Sequence, residues 1–350
     1  MRVVLADPPA FTPQYDHELA SALVRSGLDV ELVTSRFRFG TAPEPAGYTR
    51  SEVFYPLSSK VFRRSRLRVP LKLLEHPFGM GWLAAVPRDV VHVQWLAVPQ
   101  VDDGLFRPRS PAVFTAHDLL PRRSARREKL WRRLLARFDR IVVHSERGLE
   151  TLTRLGVEPE RLRVIPHPVF PSDPARADDG RTLLCLGTIR PYKGLGDAIE
   201  VARRLDARLL VAGDPIEPIA PYRTAAGVGV EWRLGYLPER ELDRALGDAT
   251  VGLFPYRAEL DQSGALLRTL GAGVPAVVYD VGGLAEPVRA FGAGRVVPAG
   301  DLEALAAAAR ELLDDREALE RAREGARRAR ATLTWDASAS AHVALYREIV

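Results

Sequence analysis

The sequence predicts an α/β protein of two doubly wound, parallel-sheet domains facing a central cleft, and three observations carry that expectation. Short runs rich in β-branched residues alternate with amphipathic helical runs along the whole chain. The alternation breaks once, in an irregular stretch between Pro168 and Gly180 that holds Pro171, Pro174, Asp178 and Asp179, and then restarts. Finally, 350 residues exceed what one hydrophobic core ordinarily serves.

In the first half, Arg2 to Leu5 reads as a buried strand. Thr12 followed by Pro13 reads as an N-cap with proline at the first helical position, and the helix runs through Leu19, Ala20 and Leu23 until Gly27. Further strands are expected at Val30 to Thr34, Val90 to Val93, Ala112 to Thr115 and Arg140 to His144. The second half repeats the pattern with strands at Thr182 to Leu186, Arg208 to Ala212, Val230 to Leu234, Val251 to Phe254 and Ala276 to Tyr279, giving a second Rossmann-like unit. A long Ala-, Glu- and Arg-rich helical region follows Gly300 to Thr332, and Trp335 precedes a last helix ending near Tyr346. The expected division is 1–172, 173–331, and a helix over 332–350 that packs back toward the first domain.

With 46% hydrophobic and 27% charged residues the chain has a globular composition, not a disordered or fibrous one. Cys185 is the single cysteine, which excludes an internal disulfide and a Cys-rich metal site, and it reads as a small core residue. No apolar run approaches the ~20 residues needed to span a bilayer, and Met1-Arg2-Val3-Val4-Leu5 runs into Asp7 without a signal-peptide stretch, so a cytoplasmic location is expected. The net charge of +5 raises nucleic acid as a partner, but the arginines lack interleaved aromatic residues and no nucleic-acid motif is present.

Because open α/β sheets bind ligands at the carboxyl ends of their strands, chemistry is sought in the loops after strands. Gly187-Thr188-Ile189-Arg190-Pro191-Tyr192-Lys193-Gly194 follows a strand and opens a helix. Gly187 admits close backbone approach, and Arg190 and Lys193 can neutralise two adjacent phosphates beside a helix N-terminus. Read alone, the segment is either such a site or a solvated basic turn. Asp261-Gln262-Ser263-Gly264-Ala265-Leu266 leads into another helix, whose first-turn amides, with the Ser263 hydroxyl, can hold phosphate oxygens without metal; an ordinary capped helix reads equally well.

At these segments the chain resembles the retaining GT-B glycosyltransferases of the large family-four group. Gly187 to Gly194 is similar to that family's G-x-x-R-x-x-K-G signature. Gly271-Ala272-Gly273-Val274-Pro275, followed by Asp280-Val281-Gly282-Gly283-Leu284-Ala285-Glu286, is similar to its A-x-G-x-P-V…D-x-G-G-x-x-E stretch. The resemblance implies a GT-B architecture, a nucleoside-diphosphate sugar as co-substrate, and no cofactor or metal. Arg190 and Lys193 would contact the donor diphosphate, and Gly264, Ala265 and Leu266 its phosphate and sugar. Gly213 after Val211-Ala212 and the Gly235-Tyr236-Leu237 turn look like the nucleotide-holding places; either also reads as a tight βα turn. Phe114-Thr115-Ala116-His117-Asp118 looks like the family's T-x-H-D segment, so His117 is the first-domain choice, donating to a sugar hydroxyl, with Asp118 fixing or stabilising the imidazole. His92, His144 and His167 at similar strand ends are expected to be structural.

Two departures from the family pattern matter. Its paired glutamates, seven residues apart, are absent: Arg268 stands at the second position, and the first falls at Leu260, between Glu259 and Asp261, with Asp261 the substitute. Arg268 is expected either to meet an acidic group on donor or acceptor or to point outward in an ion pair. Pro8-Pro9-Ala10 stands where relatives often carry glycines. The expected activity is glycosyl transfer to a small-molecule, glycan or lipid-linked acceptor. The alternative is a catalytically silent nucleotide-sugar-binding protein, which the loss of the glutamate would suit. A basic amphipathic helix within Arg122 to Arg140, with Arg63, Arg64, Arg66, Arg68 and Lys72, either docks on the anionic inner face of a membrane or is an ordinary solvated face.

Overall fold

The computed structural model describes residues 1–60, 68–119, 127–227, 229–257 and 260–350, with Arg68 described by its backbone alone. Arg63, Arg64, Arg66, Arg122, Arg126 and Glu259 therefore lie outside the described residues. The chain divides into two compact units, Met1–Pro166 with Trp335–Val350, and His167–Thr334.

The first unit contains β1 (Arg2–Asp7), α1 (Pro13–Arg25), β2 (Asp29–Ser35), β3 (Thr49–Phe54), α2 (Arg68–Ala85), β4 (Val90–Val93), α3 (Pro99–Leu105), β5 (Ala112–Thr115), α4 (Glu128–Leu135), β6 (Arg140–Val143), α5 (Glu146–Leu155) and β7 (Leu162–Val164). Its strands form one parallel sheet in the order β3-β2-β1-β4-β5-β6-β7. The order reverses between β1 and β4, which makes that point the crevice of the sheet. β4 and β5 are buried at every residue because helices cover both faces of a parallel sheet. Trp131, Leu134 and Phe138 fill the core beside Phe106 and Phe114.

The second unit contains β8 (Thr182–Leu186), α6 (Leu195–Leu205), β9 (Arg208–Gly213), α7 (Ala220–Ala226), β10 (Val230–Leu234), α8 (Glu239–Asp248), β11 (Val251–Phe254), α9 (Gly264–Gly271), β12 (Ala276–Tyr279), α10 (Ala285–Phe291), β13 (Gly294–Val297), α11 (Leu302–Asp314) and α12 (Arg316–Thr332). Its parallel sheet has the order β10-β9-β8-β11-β12-β13.

The last helix, α13 (Trp335–Arg347), belongs to the first unit and lies on α1. The Trp335 ring meets Tyr15 edge-on at 5.1 Å, Arg25 pairs with Asp336, and the Tyr346 hydroxyl bonds His92 Nδ1 at 2.7 Å. Glu348, just beyond the helix, takes Arg163 at 2.8 Å and Arg140 at 3.4 Å.

Four local expectations change. Thr12 is not a side-chain cap: its Oγ1 accepts from the Trp95 indole at 2.8 Å, while its carbonyl still receives the Asp16 amide. The region after Gly300 is two helices, because the Asp315 carboxylate accepts from the Glu317 and Ala318 amides and starts α12 afresh. Trp335 begins the last helix instead of preceding it. The basic run of α4 and the residues just after it is partly engaged within the unit: Arg133 and Arg137 both pair with Asp103 at 2.8 Å, and Arg137 also donates to the carbonyls of Asp102 and Phe106. Among the described residues no helix is long and apolar enough to cross a membrane.

Candidate functional site

In the second unit the candidate site is built where β8 ends. Gly187 takes a left-handed backbone (φ +98°) and donates its amide to Ala212 O at 2.8 Å. A Cβ on Gly213 would sit 2.0 Å from Gly187 O, so the loops after β8 and β9 close on each other only because Gly213 lacks a side chain. Ile189 then donates to Asp214 O at 2.9 Å and fixes the start of the basic turn. Its end is fixed by Gly194 (φ +68°), where a Cβ would lie 2.0 Å from Pro255 O, and by Arg257, which donates to Tyr192 O and pairs with Asp197.

This framing aims Lys193 inward. Its ammonium lies 4.9 Å from the Tyr256 ring centroid. The Cβ position above Gly187 is 3.1 Å from Lys193 Nζ and 3.2 Å from Ala265 Cβ. Gly187, Lys193 and the first turn of α9 thus meet around one point, beside an open pocket lined also by Thr188, Tyr256 and Cys185. Ser263 caps α9: its Oγ accepts from Leu266 N at 3.4 Å and shares a hydrogen bond with the Tyr256 hydroxyl at 3.2 Å. Leu266, expected to offer its amide to the donor, is directed to that cap, whereas Gly264 and Ala265 precede the first intrahelical bonds. Arg190 is exposed on the same turn. Cys185 is half-buried at the cavity wall rather than in the core, and burial raises its thiol to about 12, so it is inert at neutral pH.

Asp261 is fully buried in a loop braced from outside: Gly283 donates to Leu260 O at 3.0 Å, and the Gln262 amide donates to Gly283 O at 2.7 Å. Glu286 is half-buried in the first turn of α10, its amide given to Gly283 O. The Asp280-to-Glu286 stretch thereby supports the Asp261–Ser263 loop. The Tyr236–Leu237 turn is tethered by Gly235 N to Gly213 O at 3.0 Å, with Tyr236 about half exposed. Arg268 forms an ion pair, the second of the two outcomes expected for it, with its side chain mostly buried instead of pointing outward. Its side chain, 14% exposed, pairs with Glu239 at 2.6 Å and lies 4.9 Å from the Phe170 ring.

In the first unit His117 follows β5 with its ring stacked on Trp95 at 5.1 Å and edge-on to Tyr15 at 4.7 Å. Its Nε2 is 2.9 Å from Gln94 Oε1 and its Nδ1 3.3 Å from His144 Nε2, while His144 Nδ1 donates to Ile165 O at 2.9 Å. A carbonyl oxygen can only accept, so His144 Nδ1 carries a proton toward Ile165 O and His117 Nε2 carries one toward Gln94 Oε1. Asp118 is exposed. His92 is buried between Tyr346 and Thr115, and His167 donates to Pro168 O, both held neutral by burial.

Sequence reasoning missed Asp7 and Asp16. Both are completely buried at the end of β1 and in α1, hydrogen-bonded to each other. Desolvation lifts Asp7 to about 6, and desolvation with the Asp7 charge holds Asp16 well above the carboxylate range. Asp7 directly after the Arg2-to-Leu5 run was the available signal. Among the described residues no cluster of three or more His, Cys, Asp or Glu is placed to hold a metal.

Two family models match in tandem, Glycosyltransferase Family 4 over residues 14–173 and Glycosyl transferases group 1 over 180–315, and together they span most of the chain. The chain belongs to the GT-B glycosyltransferases. This glycosyltransferase is 29% identical over 286 residues to an exopolysaccharide phosphotransferase of Streptomyces coelicolor (70% of this chain, 30% of the relative). It is 30% identical over 301 residues to D-inositol 3-phosphate glycosyltransferase of Geodermatophilus obscurus (74% and 66%). The chain thus spans a third to two thirds of the length of these relatives. Its fold is similar to sucrose-phosphate synthase from Thermosynechococcus elongatus (TM-score 0.76, 20% identity, 99% and 98% covered). It is also similar to Anabaena HepE solved with UDP and glucose (TM-score 0.69, 14% identity, 99% and 100% covered).

Proposed function

We propose that this glycosyltransferase moves a sugar from a nucleoside-diphosphate sugar to an acceptor, with retention of anomeric configuration and without metal. The observation that carries the reading is the convergence of Lys193, Gly187 and the first turn of α9. As the anomeric carbon loses its bond to the diphosphate, negative charge grows on the leaving oxygens. A fixed ammonium and the amides of Gly264 and Ala265 stabilise that charge without reorganising. Arg190 adds a second cation from solvent, and the Tyr236–Leu237 turn and Gly213 receive the nucleotide. Asp261 and Glu286 hold the phosphate loop in place. His117, whose Nε2 carries a proton toward Gln94 Oε1, donates to a hydroxyl of the transferred sugar.

The test is release of nucleoside diphosphate from a panel of nucleotide sugars without acceptor, alongside thermal stabilisation by nucleoside diphosphates. Lys193→Ala is expected to lower hydrolysis about 100-fold, with EDTA having no effect and the product retaining its configuration by NMR. Arg268, tied to Glu239 instead of being a glutamate, favours the second reading, a silent binding protein. Stabilisation by a nucleotide sugar without any hydrolysis would select it, and an inverted product would refute retention.

A further inference from the structure

Arg268 and Glu239 bring a carboxylate beside the phosphate-binding turn, and nothing in the diphosphate reading uses it. Arg268 stands on α9 one turn beyond Gly264 and Ala265, about 5.4 Å along the helix axis. Its side chain is mostly buried beside the Phe170 ring, whereas the Glu239 side chain, at the first position of α8, is 58% exposed. The guanidinium meets the carboxylate with two separate nitrogens, Nη1 to Oε2 at 2.6 Å and Nη2 to Oε1 at 3.3 Å. Such forked pairing fixes the plane of the carboxylate, with the cation on its inner side. A carboxylate oxygen accepts at two lone pairs, so each oxygen of Glu239 keeps one for a donor arriving from solvent.

The pair also stands between the two parts of the nucleotide site. The Gly235-Tyr236-Leu237 turn leads through Pro238 straight into Glu239, and Leu237 packs in the same apolar cluster as Ala265. The Tyr236 phenol, raised by burial and then by the Glu239 charge and lowered by Arg268, feels both members of the pair. On the other side, Ala265 Cβ lies 3.2 Å from the Cβ position above Gly187, where Lys193 Nζ also converges. In a nucleoside diphosphate the ribose joins the base to the phosphates. A base at Tyr236–Leu237 and phosphates at Gly264 and Ala265 therefore leave the ribose to the stretch that holds Glu239. A vicinal diol presents two O–H donors side by side, which two coplanar carboxylate oxygens can accept together.

Resting on the nucleotide-sugar reading of this site, we propose that Glu239 is the ribose-binding carboxylate, accepting from the 2′- and 3′-hydroxyls of the donor nucleotide, and that Arg268 is the positioning residue that holds it. The site then selects ribonucleoside over deoxyribonucleoside diphosphates, because a pocket built to bind a hydroxyl rejects the analogue that lacks it. The transferase and the silent binding protein both take such a ligand, so the assignment holds for either.

The test is titration calorimetry of the full chain with UDP, GDP, ADP, CDP and thymidine diphosphate, followed by comparison of the tightest ligand with its 2′-deoxy and 3′-deoxy forms. The unaltered chain is expected to bind the ribonucleotide about tenfold more tightly than either deoxy form. Glu239→Ala is expected to bring that ratio to about one, and Glu239→Gln, which keeps the shape without the charge, to about threefold, with circular dichroism unchanged in both. Arg268→Met is expected to lower the ratio as well, since the carboxylate loses its fixed plane. A pair that only tied α8 to α9, or acted only through its charge on the phosphates, would shift ribo and deoxy forms alike and leave the ratio as it was. A ratio near one in the unaltered chain, a ratio that survives Glu239→Ala, or tightest binding of thymidine diphosphate, which has no 2′-hydroxyl, overturns the proposal and leaves the donor reading standing. Absence of binding by any of these nucleotides refutes the donor reading and the proposal with it.

Discussion

At the scale of single residues, the second unit's site depends on atoms that are missing. Gly213→Ala would place a methyl group 2.0 Å from Gly187 O, a backbone atom that cannot swing aside. The variant is expected to lose about 2–4 kcal/mol in urea unfolding, and with it nucleoside-diphosphate binding. Asp16 makes the opposite prediction. The folded state binds protons at Asp7 and Asp16 that the unfolded chain has released, so their burial weakens the fold as pH rises through about 4 to 6 and beyond. Asp16→Asn is therefore expected to gain about 2 kcal/mol at pH 8, with the gain vanishing below pH 4. Equal unfolding midpoints at pH 8 would sink this. Neither effect was readable beforehand, since glycine spacing marks a turn but not which carbonyl presses on it, and nothing near Asp7 in sequence announces the approach of Asp16.

Among the elements, α9 shows how capping and ligand binding compete for the same few atoms. Ser263→Ala removes the bond to Leu266 N and the contact with Tyr256, and is expected to cost about 1 kcal/mol. Ser263→Asp restores the cap and retains stability, yet places an anion beside Lys193. It is expected to abolish stabilisation by nucleoside diphosphates, so thermal melts with and without UDP separate the two roles. The interior strands were legible because burial on both faces leaves continuous apolar runs; Val90–Val93, Ala112–Thr115, Val251–Phe254 and Ala276–Tyr279 have the limits read from sequence. The strands that escaped notice, β3, β7 and β13, are edge strands. Their half-exposed sequences, Thr49–Phe54, Leu162–Val164 and Gly294–Val297, lack that run. The partner of Arg268 was equally hidden, because Glu239 is 29 residues away and only the packing of α8 beside α9 joins them.

For the molecule as a whole, buried imidazoles set the response to acid. His92, His167 and His342 are all held neutral by desolvation, His167 and His342 down to about 4, so unfolding takes up protons and stability falls from pH 6.5 toward pH 4. In the first unit the Asp7–Asp16 pair slopes the other way and offsets part of the loss. His342→Gln is expected to flatten the slope of unfolding free energy between pH 6.5 and 4, by about 3 kcal/mol over the window; an unchanged slope would exclude the ring as its source. The placement of α13 bears on how the chain is made. The ribosome delivers β1 to β7 first, but Trp335 and Tyr346, which cover Tyr15 and His92, emerge only after residues 167–334. Until then the faces of α1 and β4 that α13 covers have no partner, so the first unit cannot complete its packing before residues 167–334 have been made.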